Sequence, residues 1–214
     1  MIYLEETFNI IPASPEGLDI FIEFIQEKLI PICEQLGLRL IAAWSCNIDR
    51  FSQVTHILEF DDLEALKAFR NKSSQNRKWG EYTAKLEELA PERHSRLLEP
   101  LESVPSKILH KTITKSQKKP SGAYSLAVLE VAPGKMQDFI TTLKDAAKGF
   151  PIIASWRPIA GSPNEVIDLW KGALMQQNYK PVDDFMRQFF RQVRELAPKE
   201  RLRTVYTLPY SQLL

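Results

Sequence analysis

The feature that most constrains the fold is an internal repeat, because a chain that repeats its pattern must build the same supersecondary unit twice. Three anchors recur in the same order along the 214 residues: Tyr3 with Tyr124, Trp44 with Trp156, and the run 88–91 with the run 195–198. Their offsets are 121, 112 and 107 residues, so the second copy is the shorter one. The pattern therefore predicts two copies of one domain.

Each copy shows the order strand, helix, strand, strand, helix, strand. In the first copy the strands are predicted at residues 2–10, 38–46, 53–60 and 96–101. The first helix should start at Pro15 behind a Ser14 cap, be kinked or divided at Pro31 and end at Gly37. The second helix should follow Asp61 and Asp62. The second copy has predicted strands at 124–132, 152–158, 165–171 and 202–208, and helices at 136–147 and 183–196.

This βαββαβ order is typical of a four-stranded antiparallel sheet with both helices on one face. The other face would expose several hundred Å² of apolar surface, which single-chain proteins rarely leave open. The predicted fold class is therefore α+β, with two tandem ferredoxin-like domains pairing into one intramolecular α/β barrel. Residues 105–119 contain five lysines and no sustained apolar period, so they are predicted to form a linker between domains 1–104 and 120–214.

Composition narrows the classes of function. With 28 Lys and Arg against 27 Asp and Glu, the chain lacks the excess of basic residues that a general nucleic-acid binder needs. No apolar run approaches the roughly 18 residues of a membrane span, so a cytoplasmic protein is expected. The spacing of cysteines and histidines indicates neither a metal site nor a disulfide. Self-association of the whole chain stays open.

The segment 42–65 resembles the NIPSNAP family, whose members show an N-terminal Met-Ile-Tyr strand, a strand-ending Trp, a Val-x-His motif and a capped helix. Met1-Ile2-Tyr3, Trp44, Val54-Thr55-His56 and Asp61-Asp62-Leu63 match that pattern. The resemblance implies membership of the dimeric α/β barrels, with a pocket between paired sheets. That fold group includes cofactor-free monooxygenases, isomerases and haem-binding relatives. No cofactor is predicted for this chain.

The match has two departures. Asp49 replaces the family's turn glycine in the first copy, whereas Gly161 retains it in the second. Asp168 stands where the family has the histidine. The ends of any shared pocket must therefore differ, and chemistry, if present, should lie at the first copy.

His56 is the candidate acid/base, although a lone buried histidine is more often structural. Ligand-binding candidates are Tyr3, Glu5, Trp44, Arg96, Trp156, Asp168, Trp170 and Arg203. The tryptophans can form a core or wall a pocket, and each arginine can anchor an anion or pair with an acid such as Glu5.

Three functions follow. The leading one is a NIPSNAP-like protein that binds a small, largely apolar ligand between the paired sheets. The second is a cofactor-independent monooxygenase or isomerase that uses His56. The third is an interaction protein whose barrel is filled. Whether the chain is an enzyme stays open.

Overall fold

The computed structural model describes residues 1–10, 15–48, 51–172 and 183–214, which form two compact units. Unit 1 comprises Met1–Leu97 and Tyr206–Leu214, and unit 2 comprises Leu98–Val205. This division differs from the predicted domains because the end of the chain belongs to the first unit. The predicted Ser14 cap and the Asp49 turn lie outside the described residues.

Unit 1 has the predicted order of strands and helices. Its elements are β1 (Ile2–Ile10), α1 (Pro15–Phe24), a π-helical turn (Ile25–Leu29), α2 (Ile30–Leu36), β2 (Arg39–Ile48), β3 (Phe51–Phe60), α3 (Leu63–Ser74), α4 (Arg77–Leu89) and β4 (Glu92–Pro100), of which the residues to Leu97 belong here. The strands lie in the order β4-β1-β3-β2, the split-βαβ arrangement. β1 and β2 both run antiparallel to β3.

Local residue chemistry explains the helix boundaries of unit 1. The predicted division at Pro31 is confirmed, since the π-helical turn ends two residues before it and widens the backbone where the proline ring would clash with the preceding turn. Gly37 ends α2 in the left-handed conformation, with a φ of 69°. The single helix predicted after Asp62 is two helices, because the Asn76 side chain accepts the N–H of Trp79 and starts a second one.

The core of unit 1 lies between the helices and one face of the sheet. Alternate residues of β1, including Leu4 and Phe8, pack against helix residues such as Phe21, Ile25 and Leu86. The opposite face is buried as well, since Tyr3, Trp44 and Ile57 are each at most 1% exposed.

The elements of unit 2 are α5 (Ser106–Ser116), β5 (Ala123–Glu130), α6 (Met136–Ala146), β6 (Ile152–Pro158), β7 (Glu165–Lys171), α7 (Asp184–Leu196) and β8 (Lys199–Thr207), of which the residues to Val205 belong here. Unit 2 repeats the strand order of unit 1, with β8, β5, β7 and β6 as successive neighbours. Phe139, Leu143, Phe189 and Val193 of its helices pack on one face of this sheet.

The predicted linker contains a helix, α5. Its sequence carries Ile108, Leu109 and Ile113 at helical spacing, and Leu109 is buried while the five lysines point to solvent. The lysines make this segment polar overall, but the buried Leu109 and the partly buried Ile108 give the helix an apolar side that packs on the protein. None of the described helices of the chain has the length and apolar character that a membrane crossing requires.

Candidate functional site

The strand register sorts the predicted site residues onto two faces of each sheet. In unit 1, Trp44 pairs with Thr55, which pairs with Thr7, so these residues share the face away from the helices. Tyr3 and Glu5 alternate onto the same face of β1. His56 points to the opposite face, into the core under the helices.

Unit 2 shows the same division. Trp156 pairs with Ile167 on the face away from the helices, whereas Trp170 belongs to the core under the helices. Asp168, two residues from Trp170 on the same strand, shares the helix-facing side. The structure therefore does not place His56, Asp168 and Trp170 on the same faces as the other site candidates. Arg203 is half-buried on β8.

His56 is fully buried in an aromatic environment. Its ring lies 5.0 Å from that of Phe8 and 6.3 Å from that of Phe21. Its Nε2 is 2.9 Å from the Tyr210 hydroxyl, and its Nδ1 has no hydrogen-bond partner among the described residues. Burial lowers the pKa of His56 to about 3, so the imidazole stays neutral at physiological pH. Such a group is a weak base and suits a structural role better than proton transfer.

Glu5 and Arg96 form an ion pair on the face away from the helices. The Glu5 side chain is 8% exposed and that of Arg96 is 33% exposed, so Arg96 reaches the pair from the margin of the sheet. This confirms the interpretation that Arg96 pairs with Glu5. On the same face, the Tyr3 hydroxyl donates to the Met1 sulfur at 3.0 Å, and the Trp44 Nε1 is buried with no acceptor among the described residues.

Asp168 occupies the position in unit 2 that His56 has in unit 1. The row Glu6–His56–Ala43 of paired residues corresponds to Ala127–Asp168–Ser155, with the same offsets of 121 and 112 residues found in the sequence. The Ser155 hydroxyl donates to Asp168 Oδ1 at 2.5 Å. Burial raises the pKa of Asp168 to about 7, against the lowering effect of that hydrogen bond.

Sequence reasoning missed three residues of these polar rows: Glu6, Tyr210 and Ser155. Burial raises the pKa of Glu6 despite the nearby charges of Arg93 and Arg70. Ser155 lies within the predicted strand 152–158, but only the strand register shows that it pairs with Asp168. Tyr210 could not be found from the sequence, because it reaches His56 from a segment 154 residues away. Within the described ranges, no cluster of three or more His, Cys, Asp or Glu side chains forms a metal site.

A cavity of ≈ 400 Å³ opens in unit 1 between α4 and the continuous helical segment formed by α1, the π-helical turn and α2. We call it the helix groove. Its lining residues are Phe24, Glu27, Lys28, Pro31, Ile32, Lys78, Glu81, Tyr82 and Lys85. The rings of Phe24 and Tyr82 stack at its base, with centroids 5.4 Å apart and an interplanar angle of 10°. The π-helical turn lies along one wall and Pro31 follows it, so the irregular backbone predicted at Pro31 borders the cavity.

A model of the NIPSNAP family matches residues 12–105, a stretch that holds His56, Trp44 and every residue of the helix groove. Residues 12–105 are a NIPSNAP domain. The resemblance seen in the segment 42–65 is thereby confirmed. No curated protein matches the chain.

The chain resembles many solved structures, including the following three. A candidate monooxygenase from Lactobacillus acidophilus is 10% identical, with a TM-score of 0.65 over 99% of this chain and 96% of that one. A second, from Fusobacterium nucleatum, is 8% identical, with a TM-score of 0.62 over 97% and 92%. A NIPSNAP family protein from Agrobacterium tumefaciens is 24% identical, with a TM-score of 0.41 over 47% of this chain and 93% of that one. At these identities the first two likenesses show the fold alone.

Proposed function

We propose that this NIPSNAP-domain protein binds a small, largely apolar molecule in the helix groove of unit 1. The observation that carries the proposal is the groove itself, whose ≈ 400 Å³ falls within the roughly 300–1,000 Å³ of ordinary ligand sites. Its floor combines Phe24, Ile32 and Tyr82, and its rim is charged. An apolar floor with a polar rim is the usual design of a site for an amphipathic small molecule.

The faces away from the helices remain a second proposed location, as the sequence predicted for paired sheets. The support is the burial of Tyr3, Trp44 and Trp156 on those faces, with Glu5 and Arg96 joined beside them. The pairing of the two copies into one barrel and a cytoplasmic location are likewise proposals.

The enzymatic alternative has weaker support. The fold resembles those of two candidate monooxygenases, but His56 faces an aromatic core and is not one of the residues that line the helix groove. A neutral, enclosed imidazole with a pKa of about 3 gives no reason to place a reaction there.

Native mass spectrometry and titration with the neutral fluorophore N-phenyl-1-naphthylamine test the proposal. Glu81→Trp should fill the groove from its exposed rim and abolish binding, because a bulky ring then occupies the ligand volume. Glu87→Trp, an exposed position of the same helix that does not line the groove, is the matched control. If Trp44→Phe weakens binding while Glu81→Trp does not, the ligand lies at the sheet face. If no variant or wild type binds any probe, the interaction-protein alternative gains support.

A further inference from the structure

The rim of the helix groove carries an uneven set of charges. Three lysines and two glutamates border it: Lys28, Lys78, Lys85, Glu27 and Glu81. All five side chains are exposed, where a single charge interacts only weakly. The charge that each one offers to a ligand therefore depends on whether it already has an ion-pair partner.

Both rim glutamates already have basic partners. Glu81 forms an i,i+4 ion pair with Arg77 at 3.0 Å, and Arg77 does not line the groove. Glu27 lies 4.0 Å from Lys28. A cationic ligand would therefore compete with existing ion pairs for each carboxylate that it could reach.

The rim lysines are not balanced in the same way. Lys85 pairs with Glu88 at 2.6 Å, but Lys78 makes no ion pair with any residue that the structure describes. Lys78 lies one helical turn before Tyr82 on the wall formed by α4, so its ammonium group can reach a ligand that lies on the Phe24–Tyr82 floor. The groove thus combines an apolar floor with one uncompensated positive charge.

We infer that the helix groove selects an apolar monocarboxylate, with its hydrocarbon body on the Phe24–Tyr82 floor and its carboxylate at Lys78. This inference rests on the proposed function, because it assigns the ligand class of the same groove. The charge contributes selectivity and the floor contributes most of the affinity, since an exposed ion pair is weak whereas buried apolar area is not.

Displacement of N-phenyl-1-naphthylamine by decanoate, 1-decanol and decylamine tests the inference, because the three compounds share one chain length and differ in charge. Decanoate should bind about two- to fivefold more tightly than 1-decanol at low ionic strength. The difference should vanish at about 1 M salt, where the Debye length is about 3 Å. Lys78→Gln should remove it at low salt and leave 1-decanol binding unchanged. Lys67→Gln is the matched control, since Lys67 is an exposed lysine of α3 that does not line the groove.

The possible failures separate the two proposals. If 1-decanol or decylamine binds as tightly as decanoate, or if Lys78→Gln has no effect on the difference, the carboxylate inference is wrong while the groove still binds apolar molecules. If neither the fluorophore nor any of the three compounds binds, the proposed function itself is wrong, and the inference with it.

Discussion

At the residue scale, each unit buries an ionisable side chain under its helices at the same position of the repeat. His56 sits among aromatic rings in unit 1, and Asp168 sits beside Ser155 in unit 2. Both are at most 1% exposed, and burial favours the uncharged form of each. The two groups therefore couple stability to pH with opposite signs.

Replacing His56 by Phe should make the unfolding free energy less dependent on pH below pH 6.5. The unfolded histidine titrates near 6.5 while the folded one stays neutral down to about 3, so the unfolded state takes up more protons between these values. The wild type should lose about 2–3 kcal/mol of unfolding free energy relative to His56→Phe between pH 6.5 and pH 4.5. Urea unfolding across that range measures the difference, and parallel curves would contradict the burial of a neutral imidazole.

Asp168→Asn should have the opposite dependence. The unfolded carboxyl titrates near 3.8 and the folded one near 7, so the folded state binds the extra proton and the wild type loses stability as pH rises from about 4 to about 7. The unfolding free energy of Asp168→Asn relative to that of the wild type should rise by on the order of a few kcal/mol from pH 4 to pH 8. Asp145→Asn, at an exposed position on α6, is the control and should show no such trend. A constant difference between Asp168→Asn and wild type would show that the carboxyl is not buried as described.

At the element scale, single residues decide where the helices of unit 1 begin and end. Asp62 and Asn76 each accept a backbone N–H three residues ahead, and Gly37 ends α2 with a positive φ. Asp62 and Gly37 were identified from the sequence because capping is a local interaction between near neighbours. Asn76 was not, because the apolar spacing continues across it and gives no sign of a break.

Two glycine-to-alanine substitutions should separate backbone conformation from packing. An added Cβ would meet no atom within 4 Å at either Gly37 or Gly80. Gly37→Ala should destabilise the protein by about 1–2 kcal/mol, because an L-residue at a φ of 69° is strained. Gly80→Ala should stabilise it by up to about 1 kcal/mol, because Gly80 lies within α4 and alanine favours the helix. Thermal and urea unfolding of both variants test this, and effects of the same sign would contradict the assigned conformations.

At the scale of the whole molecule, the end of the chain completes the first unit. The Ala43 N–H donates to Ser211 Oγ at 2.9 Å, and the Leu213 N–H donates to the Ile41 carbonyl at 3.1 Å. Tyr210 reaches His56, and Leu213 is fully buried. This segment therefore supplies hydrogen-bond partners for backbone groups at the edge of β2, and Tyr210 covers His56 in the core.

The fragment 1–104 should consequently be much less stable than the intact chain. It has the strands and helices of unit 1 but lacks Tyr210, Ser211 and Leu213, so the β2 edge and His56 lose their partners. Circular dichroism and size-exclusion chromatography should show partial unfolding or association of the fragment. Ser211→Ala in the full chain should speed amide exchange at Ala43, because that N–H loses its acceptor. A fragment that unfolds as cooperatively as the intact protein would contradict this role.

The sequence by itself determined the βαββαβ order of each copy, the approximate positions of the strands, the interruption of the first helix near Pro31 and the NIPSNAP resemblance. Each of these depends on periodicity, on local capping or steric effects, or on a short motif, and such signals lie within a few residues of each other or recur at a constant offset. Only the tertiary structure decided that His56 points toward the helices and that Tyr210 contacts it. The side on which a strand residue projects depends on the register between strands, and a shift of one residue reverses it. The helix groove was likewise decided only by the tertiary structure, since Phe24 and Tyr82 meet only when two helices distant in sequence pack on one sheet.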